Sequence, residues 1–313
     1  MKTIISTIIF FFIISSFNLS TAEQIQDGYG KAKLPDSSIY EGEFKNGLFN
    51  GKGVLTWRNK DQYSGDFLNG LMQGKGTAIS ARGTYVGDFY EGMMHGRGIY
   101  KYNTGTIYEG NFFEGNATGK GKCTYKNGAI CEGDFKNWLL NGKGKFFKTN
   151  GDIYHGEFKD GMYSGKGIYQ YANGSTYKGF LKAKKFHGQG VFTTSTGKKY
   201  EGNFLNGEPK GKMQVTYNDG VVLQGNFNGW KINGKVTAKG PNGYSFEGEY
   251  KNNKPEGQGK LVKMNGDVYE GEFINGKFHG KGNYIYADGK PSRTGYWSHG
   301  KYIGKEKKET GEK

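Results

Sequence analysis

Between Tyr40 and Gly304, apolar and polar positions follow a pattern that returns every 23 residues, with one interval of 22 and a last one of 24. The copies start at Tyr40, Tyr63, Tyr85, Tyr108, Cys131, Tyr154, Tyr177, Tyr200, Leu223, Phe246, Tyr269 and Arg293. A fixed period of this size marks a repeat array. Positions 1 to 5 of a copy, Tyr40 to Phe44 in the first, alternate aromatic, polar, glycine, polar, aromatic. That is the period of a strand with one apolar face. Positions 12 to 18, Gly51 to Trp57, alternate as well, and position 16 is apolar or Cys in the first eleven copies, from Leu55 to Tyr284. Between the two runs lie turn-rich segments such as Asn46-Gly47 and, after the second run, Asn218-Asp219-Gly220, which supply the positive φ of tight turns. Each copy therefore predicts a β-hairpin whose two short strands share an apolar face. Glycine occupies positions 3 and 12 in all twelve copies, and we expect both to leave room for neighbouring aromatic rings.

The motif Tyr-x-Gly-x-Phe, a further Gly, then Gly-x-Gly resembles the MORN repeat, and the resemblance runs from Tyr40 to Gly304 with a half copy before it at Gly28 and Gly30. It implies an all-β fold, an elongated single-layer solenoid of tandem β-hairpins with an aromatic groove, used as a scaffold. Position 8 departs from Gly at Trp138, Lys184, Trp230 and Asn253, and position 14 at Met213 and Val236. The stretch from Tyr200 to Phe246 is thus the most degenerate and is expected to bend or loosen.

The first 22 residues are of another kind. Lys2 precedes an apolar run from Ile4 to Ile14, and Ser20 and Ala22 have signal-peptidase spacing. This composition reads as a secretory leader over 1–22, with a retained anchor as the alternative; the run is shorter than the roughly 20 apolar residues of a membrane helix. The array then occupies 23–304 as a half copy, eleven copies and a degenerate twelfth, and 305–313 is a charged tail. The chain's 56 glycines and 34% hydrophobic content would suggest low complexity if they were not periodic, and the 16% of aromatic residues can build the core instead.

The array leaves no segment of about 100 residues for a catalytic domain, so we expect no enzyme and no cofactor. His95, His187 and His279 all fall at position 11, four copies apart, or nearly 40 Å in such a sheet, and His155 and His299 stand at other positions; these read as polar turn residues and not as metal ligands. The Gly-Lys-Gly triplets fall on strands, not before helices as a phosphate loop requires. Cys123 and Cys131, at position 16 of one copy and position 1 of the next, would face each other across a loop centred on Asn127. In an oxidising compartment they could bridge, and otherwise they are two buried thiols. Asn116-Ala117-Thr118 and Asn173-Gly174-Ser175 are sequons in predicted turns.

Net charge is +15, carried almost wholly by lysine. Position 13 is basic in nine of the first eleven copies, among them Lys143, Lys166, Lys212 and Lys235. In the hairpin we expect position 13 beside the turn at positions 6 to 9. The seventh copy, Tyr177 to Lys199, carries Lys178, Lys182, Lys184 and Lys185 and no acid. Such lysines can be a solvated face that blocks edge pairing, or a basic stripe for anionic lipid head groups or another extended polyanion. The resemblance points to phospholipid binding, membrane-linked scaffolding and self-association. The expectation is a non-enzymatic scaffold of the secretory pathway, extracellular or lumenal or peripheral on a membrane. Its partners would be anionic lipid head groups or another protein, with homo-oligomers as a further option and nucleic acid not expected. The competing reading is a secreted binder of glycans or cell-surface material that uses the aromatic groove, or a self-associating structural scaffold.

Overall fold

The computed structural model describes residues 26–306. The expected leader at 1–22 with its cleavage site, and the expected tail from residue 307 on, lie outside the described residues. The described chain is all-β: 25 strands and one 3₁₀ turn at Pro241–Gly243. It forms two compact units that divide between Met162 and Tyr163. In each unit consecutive strands pair antiparallel, so each is an open β-meander. In the first, Gly28–Lys33 pairs with Ile39–Lys45 and that with Leu48–Thr56. In the second, Met162–Gln170 pairs through its Tyr163 side with Thr176–Lys182 and the pattern runs on to Lys301–Gly304. No helix among the described residues is long and apolar enough to cross a membrane.

Each hairpin is set by its turn. Lys45 opposes Leu48 across Asn46-Gly47, whose φ values of 51° and 72° are those of a type I′ turn. The N–H of position 8 then donates to the position-10 carbonyl of the copy before, as Gly70 does to Phe49 at 2.9 Å. Trp138 shows what a non-glycine can do at position 8: it holds φ 68°, donates to Ala117 O and lays its indole against Tyr100, Tyr108 and Phe112. It fills the space that Ala117 leaves at position 10.

A β-bulge follows each turn. Gly42 opposes Gly53 while Glu43 opposes Asn50, so Gly51 and Lys52 are the extra residues. Gly51 sits at φ 57°, the left-handed conformation that favours glycine. This corrects the reading of the two invariant glycines: position 12 serves the bulge, and the ring-seating glycines are positions 3 and 14. A Cβ on Gly53 would come within 2.6 Å of the Tyr40 ring, and one on Gly42 within 2.5 Å of Gly53 Cα. Tyr40 lies flat over these two glycines, fully buried, stacks on Phe49 at 3.8 Å and meets Phe44 and Phe67 edge-on. Its hydroxyl donates to Glu43 O at 2.9 Å and reaches Asn50 O at 3.4 Å, carbonyls next to the bulge. Tyr63, Tyr85, Tyr154, Tyr177 and Tyr269 make the same bond to position 4.

The degenerate stretch keeps its hairpins but loses this seat. Met213 opposes Gly202, and its Sδ occupies the space over Gly202. Tyr200 is half-exposed and turns to Trp230 at 5.2 Å. One copy on, Leu223 takes position 1 with Val236 at position 14.

Candidate functional site: the open face of the sheet

Alternation along each strand puts the rings on one face and positions 2, 4, 13 and 15 on the other. The open face is concave. In the first unit it encloses about 1200 Å³ over a floor of glycines, with Val54, Val86 and Ile99 beside Lys52, Lys75 and Arg97. In the second it encloses about 690 Å³, lined by Lys212, Lys235, Gln224 and Glu247 among others. The expectation of an aromatic groove is corrected: Tyr40, Tyr63, Tyr177 and Tyr269 are fully buried, packed ring on ring, and offer no free face to a sugar.

The position-13 cations are also not where they were expected. Three ladder pairs, Glu43↔Asn50, Phe44↔Phe49 and Lys45↔Leu48, separate Lys52 from the turn, because the bulge carries position 13 inboard. There it opposes position 4 of the next copy. Lys52 pairs with Asp66 at 2.5 Å and Lys120 with Asp134 at 2.7 Å, and Lys75 pairs with Asp88. The carboxylate also accepts from backbone at its bulge: Lys75 N donates to Asp66 and Arg97 N to Asp88. The Lys52 ammonium, and then the Lys75 amide, hold Asp66 below the usual carboxylate range, and Lys75 does the same for Asp88. Lys143 opposes Glu157.

In the second unit the carboxylates at position 4 thin out. Lys166 opposes Phe180 with its ammonium 6.0 Å from the ring centroid. Lys212 opposes Asn226, Lys281 opposes Tyr296, and only Lys235 among these faces an acid, Glu249. Lys178 lies between Ile168 and Val191 on the same open face. Lys182 and Lys185 are the exposed pair flanking the turn. Lys184 stands in the turn itself at φ 67°, with its ammonium 6.0 Å from the Tyr163 ring centroid.

Position 9, just past the hairpin turn, changes character between the units. It reads Leu48, Leu71, Met93, Asn116, Leu139 and Met162 through the first six copies, then Lys185, Glu208, Lys231, Lys254, Lys277 and Lys301. Charge follows: residues 26–162 hold 18 basic and 15 acidic side chains, residues 163–306 hold 22 and 11. From 161 to 200 there are seven lysines and no acid. Reading each repeat position down its column would have shown this switch from sequence alone.

The other candidates fall as follows. Cys123 and Cys131 are directly opposed, as expected, and both buried, with Tyr125 Oη 3.8 Å from Cys131 Sγ. Asn173 lies exposed in its turn, where Ser175 N donates to its Oδ1. Asn116, expected in the turn, instead opens the strand Asn116–Thr124, one residue past the observed turn at Glu114-Gly115. His299 is not isolated: its ring lies 5.9 Å from that of His279, because position 11 of one copy adjoins position 7 of the next.

The family model for the MORN repeat matches ten copies, 40–62, 63–84, 85–107, 108–130, 131–153, 154–176, 177–199, 200–221, 246–268 and 269–290. The chain belongs to the MORN-repeat family, and it is a repeat-based binding or scaffold protein. The match skips 222–245, where Leu223 and Val236 replace the tyrosine and its glycine seat. No curated protein matches the chain. Among solved structures it is similar to the TCP domain of SAS-4 (dCPAP) of Drosophila melanogaster in complex with a proline-rich motif of Ana2 (dSTIL), at 16% identity over 56% of this chain and 90% of that one, TM-score 0.34. It is also similar to the TCP10 domain of Danio rerio CPAP in complex with a STIL peptide, at 10% identity over 79% and 97%, TM-score 0.25.

Proposed function

We propose that this scaffold docks on anionic phospholipid head groups through the hairpin tips of residues 163–306. The observation that carries this reading is the position-9 column, lysine in five of its six copies there and apolar in five of six before. One lysine per hairpin recurs about every 10 Å along the meander, a spacing suited to a surface of head groups. Each lysine near an anionic bilayer contributes about 1 kcal/mol, screened by salt. With the leader at 1–22, we place the chain in the secretory pathway, peripheral on a membrane. Co-sedimentation of residues 23–313 with phosphatidylserine-containing and neutral vesicles across a salt series tests this. Binding should require the anionic lipid, fall with salt and weaken in the Lys182→Gln, Lys184→Gln, Lys185→Gln variant. Equal binding to neutral vesicles, or undiminished binding by the triple variant at low salt, would sink it.

A further inference from the structure

In the first unit, position-13 lysines are met by carboxylates of their own chain, whereas Arg97 faces Asn111. Lys52, Lys75 and Lys120 each pair with the position-4 Asp of the following copy. Lys166 stands in the same register opposite position 4, but the residue there is Phe180. Phe180 is 45% exposed on the open face, and Ile168, 42% exposed, lies two residues along from Lys166. Lys178 opposes Ile168 on one side and Val191 on the other. No acidic residue occurs between 161 and 200. The face here thus alternates ammonium and apolar side chain, with the counter-charges of the earlier copies missing.

We propose that this part of the open face, around Lys166, Lys178 and Phe180, is a dock for an extended acidic segment of a partner protein. Its carboxylates take the place that Asp66, Asp88 and Asp134 fill in the first unit. The alternation selects the chemistry: cations interleaved with Ile168, Phe180 and Val191 match a chain that carries acidic and aliphatic side chains in turn, whereas a phosphate or sulfated-sugar polymer would leave the apolar positions unmatched. The dock is distinct from the tip lysines. Position 13 lies inboard of the turn, and no residue of the Lys182, Lys184 and Lys185 set belongs to it.

The unit supplies its own control. Phe180→Asp recreates the arrangement of the second, third and fifth copies, giving Lys166 an internal carboxylate at a position where Asp is compatible with the fold. The probe is a short fluorescein-labelled peptide of alternating Glu and Leu, read by anisotropy at low ionic strength against the same peptide with Lys for Glu. The wild-type chain should bind the acidic peptide and not the basic one. Phe180→Asp should weaken binding about tenfold without loss of thermal stability, and Lys166→Gln with Lys178→Gln should weaken it similarly. Lys182→Gln, Lys184→Gln, Lys185→Gln, which tests the lipid reading, should leave peptide binding within about twofold. Absence of peptide binding by the wild-type chain, or wild-type affinity in Phe180→Asp, would overturn the proposal whatever vesicle binding shows.

Discussion

Residues 26–162 and 163–306 use one repeat in two ways. In the first unit the repeat is largely self-contained: tyrosine at position 1 in five of six copies, glycine at position 14 beneath it, carboxylates facing the position-13 lysines, and apolar hairpin tips in five of six copies. In the second the same backbone carries Leu223 and Phe246 at position 1, Met213 and Val236 at position 14, Phe180 and Asn226 opposite lysines, and lysine at the tips. The turn and the bulge are common to both units, and they determine the hairpin. What differs is the set of side chains that do not determine it, and these are free to meet a partner.

The largest expected effect is alkaline. Burial, with a smaller contribution from the Glu43 charge, pushes Tyr40 up to about 12, and burial raises Tyr63, Tyr85 and Tyr108 as well. A raised pKa in the folded state means that the neutral form is the one the fold holds. Stability is full below the unfolded value near pH 10 and is lost as pH rises from there through about 12, at up to about 1.4 kcal/mol per pH unit for each tyrosine. Four successive copies of the first unit share this liability, whereas Leu223 and Phe246 do not titrate. Hydrogen exchange between about pH 10 and 11 should show protection falling more steeply with pH across 40–112 than across 222–239, which holds no tyrosine. Equal slopes would mean that the tyrosines are not held as described.

The seat beneath the ring gives the next contrast. At Gly87 an added Cβ would lie 2.6 Å from the backbone at Arg97 O and Gly98 Cα, and on the Tyr85 hydroxyl. At the equivalent Gly225 its nearest neighbours would be side-chain atoms of Ile232 and Val236 and not backbone. Gly87→Ala should therefore cost about 3 kcal/mol and Gly225→Ala about 1 kcal/mol by denaturant unfolding. Similar losses at the two sites would remove the distinction between a seated and an unseated copy.

Much of this was legible beforehand. The period, the hairpins, the positive-φ turns and the departure of Tyr200 to Phe246 from the repeat follow from residue order, since alternation and Asn-Gly turns are local properties. The bulge was not legible, because two extra residues in a strand leave the alternation of their neighbours intact. That single omission misassigned the position-12 glycines and left the position-13 lysines too near the turn. The His279–His299 contact was hidden for a related reason: it joins two repeat positions that are neighbours only across copies. The rings build the core as their number implied, but alternation tells which residues share a face and not how closely they pack, so it could not show that no aromatic groove stays open.

Removing one hydroxyl probes how far the ring does more than fill space. Tyr85 donates to Asp88 O at 2.9 Å and reaches His95 O at 3.1 Å, so Tyr85→Phe leaves carbonyls at the bulge with one partner fewer. The expected loss is about 1 kcal/mol. The tenth copy, with Phe246 in this seat, shows that the ring alone still allows a hairpin. Tyr85→Leu, which loses the stacking surface as well, should cost more; if the Phe variant were as damaging as the Leu variant, the hydroxyl and not the ring would be the main contribution.

The smallest effect tests the charge contrast itself. Asp88 pairs with Lys75 and accepts from Arg97 N, and in the next copy Asn111 takes its place opposite Arg97. Asp88→Asn thus converts a self-neutralised pair into the kind found opposite Lys212. The ammonium is largely solvated and the carboxylate one-third exposed, so the loss should be about 0.5 kcal/mol. Lys75 holds Asp88 below the ordinary carboxylate range, a depressed value whose stabilisation is present above the unfolded pKa near 4 and lost as pH falls. The difference between wild type and variant should accordingly be seen at neutral pH, shrink with added salt and vanish in acid. A difference that survived acid and high salt would assign Asp88 a packing role. The contrast between the units would then rest on the tips and on Phe180, not on a ladder of ion pairs.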